Sequence, residues 1–131
     1  MEKLTGCCGI IVVKDNKLLL GLRTDGQGWG LAGGKLEHEE THYEAAKREL
    51  NEEFNIIPKE LTFLGFVEEE ALVKGEKLIV VPSIYLCEDY FGEPRAEPKE
   101  MKELGWFDAD EIKELKLFPP SKAAIYKYWT K

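Results

Sequence analysis

Apolar and polar positions alternate in short blocks along this chain, and the blocks change period where the elements change. Residues 7–13 and 17–22 are β-rich runs separated by the turn pair Asp15-Asn16, which predicts a hairpin. Residues 24–30 carry Gly26, Gly28 and Gly30 and read as a loop around a short apolar piece at 29–31. Gly33-Gly34 is then expected to break the chain before a helix. Thr41-His42-Tyr43-Glu44 has the capping-box form, and Ala45, Ala46 and Leu50 supply the apolar stripe behind it. Asn55 suits a left-handed cap, and Pro58 prevents continuation. Residues 61–70 and 78–88 predict two longer strands joined across Lys74-Gly75-Glu76-Lys77. A loop follows over 89–100, then a short strand at 104–107. Asp108-Ala109-Asp110-Glu111 marks another capped helix start, and 121–130 a final helix after Pro119-Pro120. The order of strands, helix, strands and helix predicts a mixed α/β (α+β) fold, with residues 1–131 as one domain.

The helix that begins near Thr41 has an electrostatic peculiarity. Glu49, Glu52 and Glu53 stand at i, i+3 and i+4, so three carboxylates share one face. They repel one another, and they sit near the helix C-terminus, where the macrodipole favours cations. A hard divalent cation would relieve both penalties. The wider charge balance points the same way. With 25 acidic and 18 basic side chains and a formal charge of −7, the chain is a poor match for nucleic acid or an anionic membrane. An acidic protein that handles phosphates needs positive charge from elsewhere, and a metal supplies it. No stretch approaches the length of a membrane span, and no signal peptide is visible at the N-terminus. Cys7, Cys8 and Cys87 form neither a disulfide pattern nor a zinc spacing and read as small buried hydrophobes, in keeping with a cytoplasmic location.

Residues 34–56 resemble the Nudix box, G-x5-E-x7-R-E-U-x-E-E-x-G-U with U apolar. Gly34, Glu40, Arg48, Glu49, Leu50, Glu52, Glu53 and Ile56 match in register. Asn55 replaces the second glycine and tolerates the left-handed conformation expected there. The resemblance implies the Nudix fold, a mixed β-sheet sandwiched between helices, and a hydrolase acting on a nucleoside diphosphate linked to another group. It also implies magnesium, with manganese as a substitute, held by Glu49, Glu52, Glu53 and the Gly33 carbonyl. Such a metal combines carboxylates with substrate phosphates and water. By the same resemblance Arg48 pairs with neighbouring acids and holds the helix against the preceding loop. Glu40 fixes that loop, and Lys35 is placed to touch a phosphate.

The substrate side is read from the segments around the box. Arg23 is positioned like a phosphate-contacting arginine of relatives, or else is an ordinary strand-end charge. The segment from Glu97 to Phe107 is similar to one in the MutT-like nucleoside triphosphate branch, where a loop acid approaches the metal. Glu100 is the candidate, Glu97 and Glu103 are its rivals, and the alternative is that all three are solvated. Phe118 is either a base-stacking ring or a core aromatic. Pro120 and Ser121 stand where mammalian oxidised-purine triphosphatases resemble one another in carrying two acids, which weighs against that recognition mode here. Trp29 and Trp106 are core or pocket wall. Ala71, Leu72 and Val73 occupy the region where ADP-ribose and dinucleoside polyphosphate hydrolases of the superfamily carry a Pro or a Tyr.

The leading expectation is therefore a magnesium-dependent pyrophosphohydrolase that converts a (deoxy)nucleoside triphosphate to monophosphate and pyrophosphate. Hydrolysis of ADP-ribose or another nucleotide sugar is the enzymatic alternative. A nucleotide-sensing Nudix-like module without catalysis is the alternative of another class, but such modules usually lose the box glutamates that this chain keeps. A non-enzymatic acidic interaction domain would explain the glutamates only by accident. The expected partner is a small nucleotide, and relatives that pair, together with exposed strand edges, leave a homodimer open beside a monomer.

Overall fold

The computed structural model describes residues 1–129. Its strands are β1 (Lys3–Leu4), β2 (Cys7–Lys14), β3 (Lys17–Arg23), β4 (Trp29–Gly30) and β5 (Ala32–Lys35), ahead of helix α1 (His42–Phe54). Then come β6 (Ile57–Pro58), β7 (Thr62–Phe66), β8 (Glu69–Val73), β9 (Glu76–Val80), β10 (Ser83–Cys87), β11 (Tyr90–Phe91) and β12 (Met101–Phe107). Helices α2 (Ala109–Lys113) and α3 (Pro119–Tyr128) follow.

A seven-stranded mixed sheet runs in the order β12-β3-β2-β10-β7, with β4 on β3 and β5 on β2. β2 and β10 are parallel and the other pairings are antiparallel. Side chains alternate across this sheet as the period of two requires. Cys8, Ile10, Val12 and Leu19 face α1, packing with Leu50 and Phe54. Ile11, Leu18 and Leu20 face the other way, packing with Ile112, Ala124 and Ile125 of α2 and α3. The expected sheet between helices is what forms, with an apolar core on each face. Each fully buried Leu, Ile or Phe contributes about 1.5–3 kcal/mol of transfer free energy.

Local signals set most boundaries. Asp15 and Asn16 take φ of 52° and 61°, the left-handed pair that a tight hairpin turn demands. Thr41 caps α1 by accepting from the Glu44 amide at 3.1 Å, while the Glu44 carboxylate accepts from the Thr41 amide at 2.9 Å. Asn55 ends the helix at φ 58°. Asp108 caps α2 in the same reciprocal way.

Four expectations are corrected. Gly33-Gly34 does not break the chain but forms β5, opposite Gly9 and Cys8. A Cβ on Gly33 would stand 2.1 Å from the Cys8 carbonyl oxygen, so the absent side chain serves close strand approach instead of a turn. The two long strands are four shorter ones, because the chain changes sheets near Val67 and Pro82. β8 and β9 pair with each other across Lys74-Gly75 and join β1 in a three-stranded sheet, whereas β7 and β10 belong to the large one. β12 begins at Met101, ahead of the expected 104, since β3 offers it pairing partners as far as Arg23. α3 begins at Pro119, where proline suits the first helical turn, and the expected end at Thr130 lies outside the described residues.

Cys7, Cys8 and Cys87 are free and buried, and burial pushes the Cys8 and Cys87 thiols up to about 12 and about 11. No helix among the described residues is long and apolar enough to cross a membrane. Replacing Gly33 by alanine should lower stability by about 1–3 kcal/mol, as overpacking does, because two paired backbones must part. Urea unfolding of the variant against wild type measures this, and an unchanged midpoint would show that the approach is not tight.

Candidate active site

α1 reaches the strand layer through its acidic face. The Gly33 amide donates to Glu53 Oε1 at 2.7 Å, tying the end of the helix to β5. Glu53 is 6% exposed, and its carboxyl is pushed up to about 8. Burial is the main cause, and the charges of Glu49 and Glu100 add to it against the Gly33 amide and Arg23. Glu49 lies against Gly34, where a Cβ would come within 2.7 Å of its Oε2, and burial raises its carboxyl too. Glu52 is half exposed beside them.

Arg48 sits at the centre of this charge. Its Nε donates to Glu40 Oε2 at 2.7 Å and its Nη2 to Glu40 Oε1 at 3.0 Å, a forked pairing of planar groups. Nη1 donates to Glu49 at 2.5 Å and to Glu52 at 3.2 Å, and Nη2 also reaches the Lys35 carbonyl at 3.0 Å. The Glu40 carboxylate further accepts from the Glu37 amide at 2.9 Å, so one guanidinium joins the helix to the segment before it. The pairing holds Glu40 below the usual carboxylate range and raises Arg48.

The far wall of the acidic cleft is the 95–100 segment. It docks on the unsatisfied carbonyls at the end of α1: the Arg95 amide donates to Phe54 at 2.9 Å and the Glu97 amide to Glu53 at 3.1 Å. Asn55 Nδ2 donates to the Arg95 carbonyl at 2.7 Å. A tight turn from Glu97 then carries Glu100 round to face Glu49 and Glu53. Glu97 also lines the cleft, whereas Glu103 lies on β12 opposite Leu22 and lines neither cavity. The cleft holds about 650 Å³. No set of three His, Cys, Asp or Glu side chains among the described residues converges closely enough to grip an ion as it stands. Arg48 is the reason for Glu49 and Glu52, which it already holds. The donors are nonetheless hard oxygens of one sign around one space, the chemistry that suits a divalent cation.

A second cavity of about 430 Å³ adjoins the cleft, and Gly33, Gly34, Glu53 and Glu100 line both. Leu4, Leu72, Val73, Lys74 and Val80 of the small sheet wall it on one side. Leu31, Ile84, Phe118, Pro120 and Ser121 wall it on the other, and Lys35 stands at its edge. The Arg23 guanidinium lies over the Phe118 ring, 3.7 Å from its centroid. Its Nε and Nη2 grip Asp25, with Nη2 at 2.6 Å from Oδ2, which holds the Asp25 carboxyl down near 2. Gln27 donates both to Asp25 and to the Leu72 carbonyl, linking this rim to the β8–β9 hairpin. Trp29 and Trp106 line neither cavity and pack in the two cores. Asp25, Gln27 and Lys74 escape the sequence reading as site residues, since the contact of Gln27 with the hairpin joins segments distant along the chain.

Residues 4–129 match the family model described as NUDIX domain. The chain is 37% identical over 106 residues to an oxidized purine nucleoside triphosphate hydrolase of Danio rerio, covering 79% of this chain and 65% of that protein. The corresponding Mus musculus protein is 31% identical over 123 residues, 92% of this chain and 73% of that one. A crystal structure of a MutT NUDIX hydrolase from Burkholderia pseudomallei superposes with a TM-score of 0.72 at 33% identity, covering 85% of this chain and 87% of its own. With the box residues in register and the sheet between helices in place, the chain belongs to the NUDIX domain family.

Proposed function

We propose that this chain is a divalent-metal-dependent pyrophosphohydrolase that converts a nucleoside or deoxynucleoside triphosphate to the monophosphate and pyrophosphate. The observation that carries the reading is the pair of adjoining cavities, one acidic and one largely apolar, that share Gly33, Gly34, Glu53 and Glu100. A polyphosphate needs cations beside it and a nucleoside needs apolar walls, and here the two environments are continuous. The names of the similar proteins point to the same substrate class.

Glu49, Glu52, Glu53 and Glu100 would hold the metal, with Gly33 beside them, and magnesium is the working ion on this reading. Bound there, such an ion polarises a phosphoryl oxygen and lowers the pKa of water. The chain's own groups do the positioning. Arg48 neutralises the acidic face and locks it to Glu40 and the Lys35 carbonyl. Glu49 and Glu52, which Arg48 pairs with, and the buried Glu53 are the carboxylates that would hold the ion. Lys35 and Arg23, both of which line the second cavity, would meet phosphate on this reading. The apolar walls exclude water from the nucleoside end.

Incubation with a panel of nucleoside triphosphates, nucleotide sugars and dinucleoside polyphosphates tests the reading, with products separated by chromatography. Triphosphates should yield monophosphate and pyrophosphate with magnesium. Turnover confined to ADP-ribose or another nucleotide sugar would overturn it. Glu53→Gln keeps an acceptor for the Gly33 amide but removes a charge. It should lower metal-dependent turnover by on the order of 100-fold, the scale of losing one electrostatic stabiliser, without loss of fold.

The same carboxyl makes metal-free stability depend on pH. Its folded value of about 8 exceeds the ordinary 4.5, so between those values the folded state keeps a proton that the unfolded chain has released. Rising pH in that window therefore destabilises the metal-free protein. Thermal melts in chelator should show a melting temperature that falls over this range in wild type and much less in Glu53→Gln. Magnesium should raise the wild-type value most at the alkaline end, by mass action on the folded state.

A further inference from the structure

Asn55 stands where the box pattern carries its second glycine, and it holds the left-handed conformation, φ 58°, that glycine adopts readily. What its side chain adds is a donor. Asn55 Nδ2 donates to the Arg95 carbonyl at 2.7 Å, joining residues far apart in sequence. Two backbone hydrogen bonds flank that contact. The Arg95 amide donates to the Phe54 carbonyl at 2.9 Å and the Glu97 amide to the Glu53 carbonyl at 3.1 Å. They anchor residues 95 and 97 but leave the peptide group between Arg95 and Ala96 free to rotate, unless its carbonyl is held as well. Asn55 holds it. The segment also lies close to Asn55 where it arrives: a Cβ on Gly92 would stand 3.2 Å from the Asn55 carbonyl oxygen. Beyond Glu97 the chain turns, with the Glu100 and Met101 amides donating to the Glu97 carbonyl at 2.9 and 2.8 Å. Glu100 thereby lines the cleft with Glu49 and Glu53. The far end of the turn is fastened separately, by the Thr24 amide donating to the Glu100 carbonyl at 3.3 Å.

We propose that Asn55 is a positioning residue, whose side-chain amide sets the Arg95–Ala96 peptide and so fixes where the turn after Glu97 presents the Glu100 carboxylate. The proposal rests on the reading of Glu100 as a group that holds the metal. A glycine at this position would end the helix equally well, but it would give the Arg95 carbonyl no donor from α1. The peptide would then take more than one orientation, and the turn beyond it would carry Glu100 through a range of positions. Ligand groups that already stand in place bind an ion more tightly than groups that must be ordered on binding. Asn55 thus keeps the backbone role of the glycine and couples the end of α1 to the opposite wall of the cleft.

Asn55→Gly removes the donor and keeps the left-handed cap, so the variant should melt close to wild type. In the metal-free protein, hydrogen exchange read by NMR should quicken about fivefold at the Arg95 and Glu97 amides, the scale of one hydrogen bond, and stay unchanged in the first turns of α1. Should the glycine variant lack a cooperative transition, Asn55→Asp replaces it in this measurement, since aspartate tolerates the same conformation and lacks the donor. Titration with Mn²⁺ alone, followed by the EPR signal of the free ion, should give a Kd about fivefold weaker in Asn55→Gly. Glu100→Gln should weaken Mn²⁺ binding too, and adding Asn55→Gly to it should change Kd by less than about twofold, because the carboxylate being positioned is gone. Equal weakening by Asn55→Gly with and without that carboxylate, or unchanged exchange at Arg95 and Glu97, would overturn the assignment. So would an unchanged Kd in Asn55→Gly beside a weakened one in Glu100→Gln. An unchanged Kd in Glu100→Gln instead refutes Glu100 as a metal-holding group, and the assignment falls with that reading.

Discussion

The hydrogen bond from the Gly33 amide to Glu53, made across a close approach of β5 to β2, is the constraint on which the site depends. It requires two glycines for two different reasons. Gly33 lets β5 lie against the Cys8 carbonyl, and Gly34 leaves room for the Glu49 carboxylate. With those contacts made, the C-terminal turn of α1 is fixed against the strand layer, and the acidic cleft and the second cavity share a wall. A β-carbon on Gly33 would push β5 away from β2, and one on Gly34 would run into the Glu49 carboxylate of α1.

Charge compensation is the second element. Acids on one helix face near its C-terminus are unfavourable by themselves, and Arg48 is what makes the arrangement tolerable in the metal-free protein. It does so while reaching Glu40 and the Lys35 carbonyl, so the group that offsets the repulsion also orients the segment entering the helix. Glu53 is handled differently. Buried beyond the reach of Arg48's hydrogen bonds, it relies on one amide and on its proton. Its burial and its acidic neighbours Glu49 and Glu100 are the source of its raised pKa.

The second cavity, walled by Phe118 and the small sheet, is a product of topology. The chain leaves the large sheet after β7, makes the β8–β9 hairpin, and returns at β10, so a three-stranded sheet faces the α3 end of the large one. The gap between them is lined by apolar side chains from both and by polar groups that include Arg23, Asp25 and Ser121. Arg23, Asp25 and Gln27 form a single chain of hydrogen bonds from the Phe118 ring to the hairpin backbone at Leu72.

Much of this was legible without coordinates because it is local. The hairpin at Asp15-Asn16, the reciprocal cap at Thr41 and Glu44, the left-handed Asn55 and the spacing of Glu49, Glu52 and Glu53 depend on residues within a few positions of one another. The stripe of Ala45, Ala46 and Leu50 likewise marked the face of α1 that turns inward. The role of Gly33-Gly34 in a strand, the division of residues 61–88 into four strands and the placing of Glu100 over Glu103 were decided by the tertiary structure. Each depends on a partner distant in sequence: the Cys8 carbonyl, the strand that pairs with each segment, and the carbonyls at the end of α1 on which residues 95–97 dock. The chain by itself established the acidic helix and its family pattern, because covalent spacing along a helix brings those carboxylates together. Which groups line the second cavity was settled only by packing two sheets and two helix layers against one another.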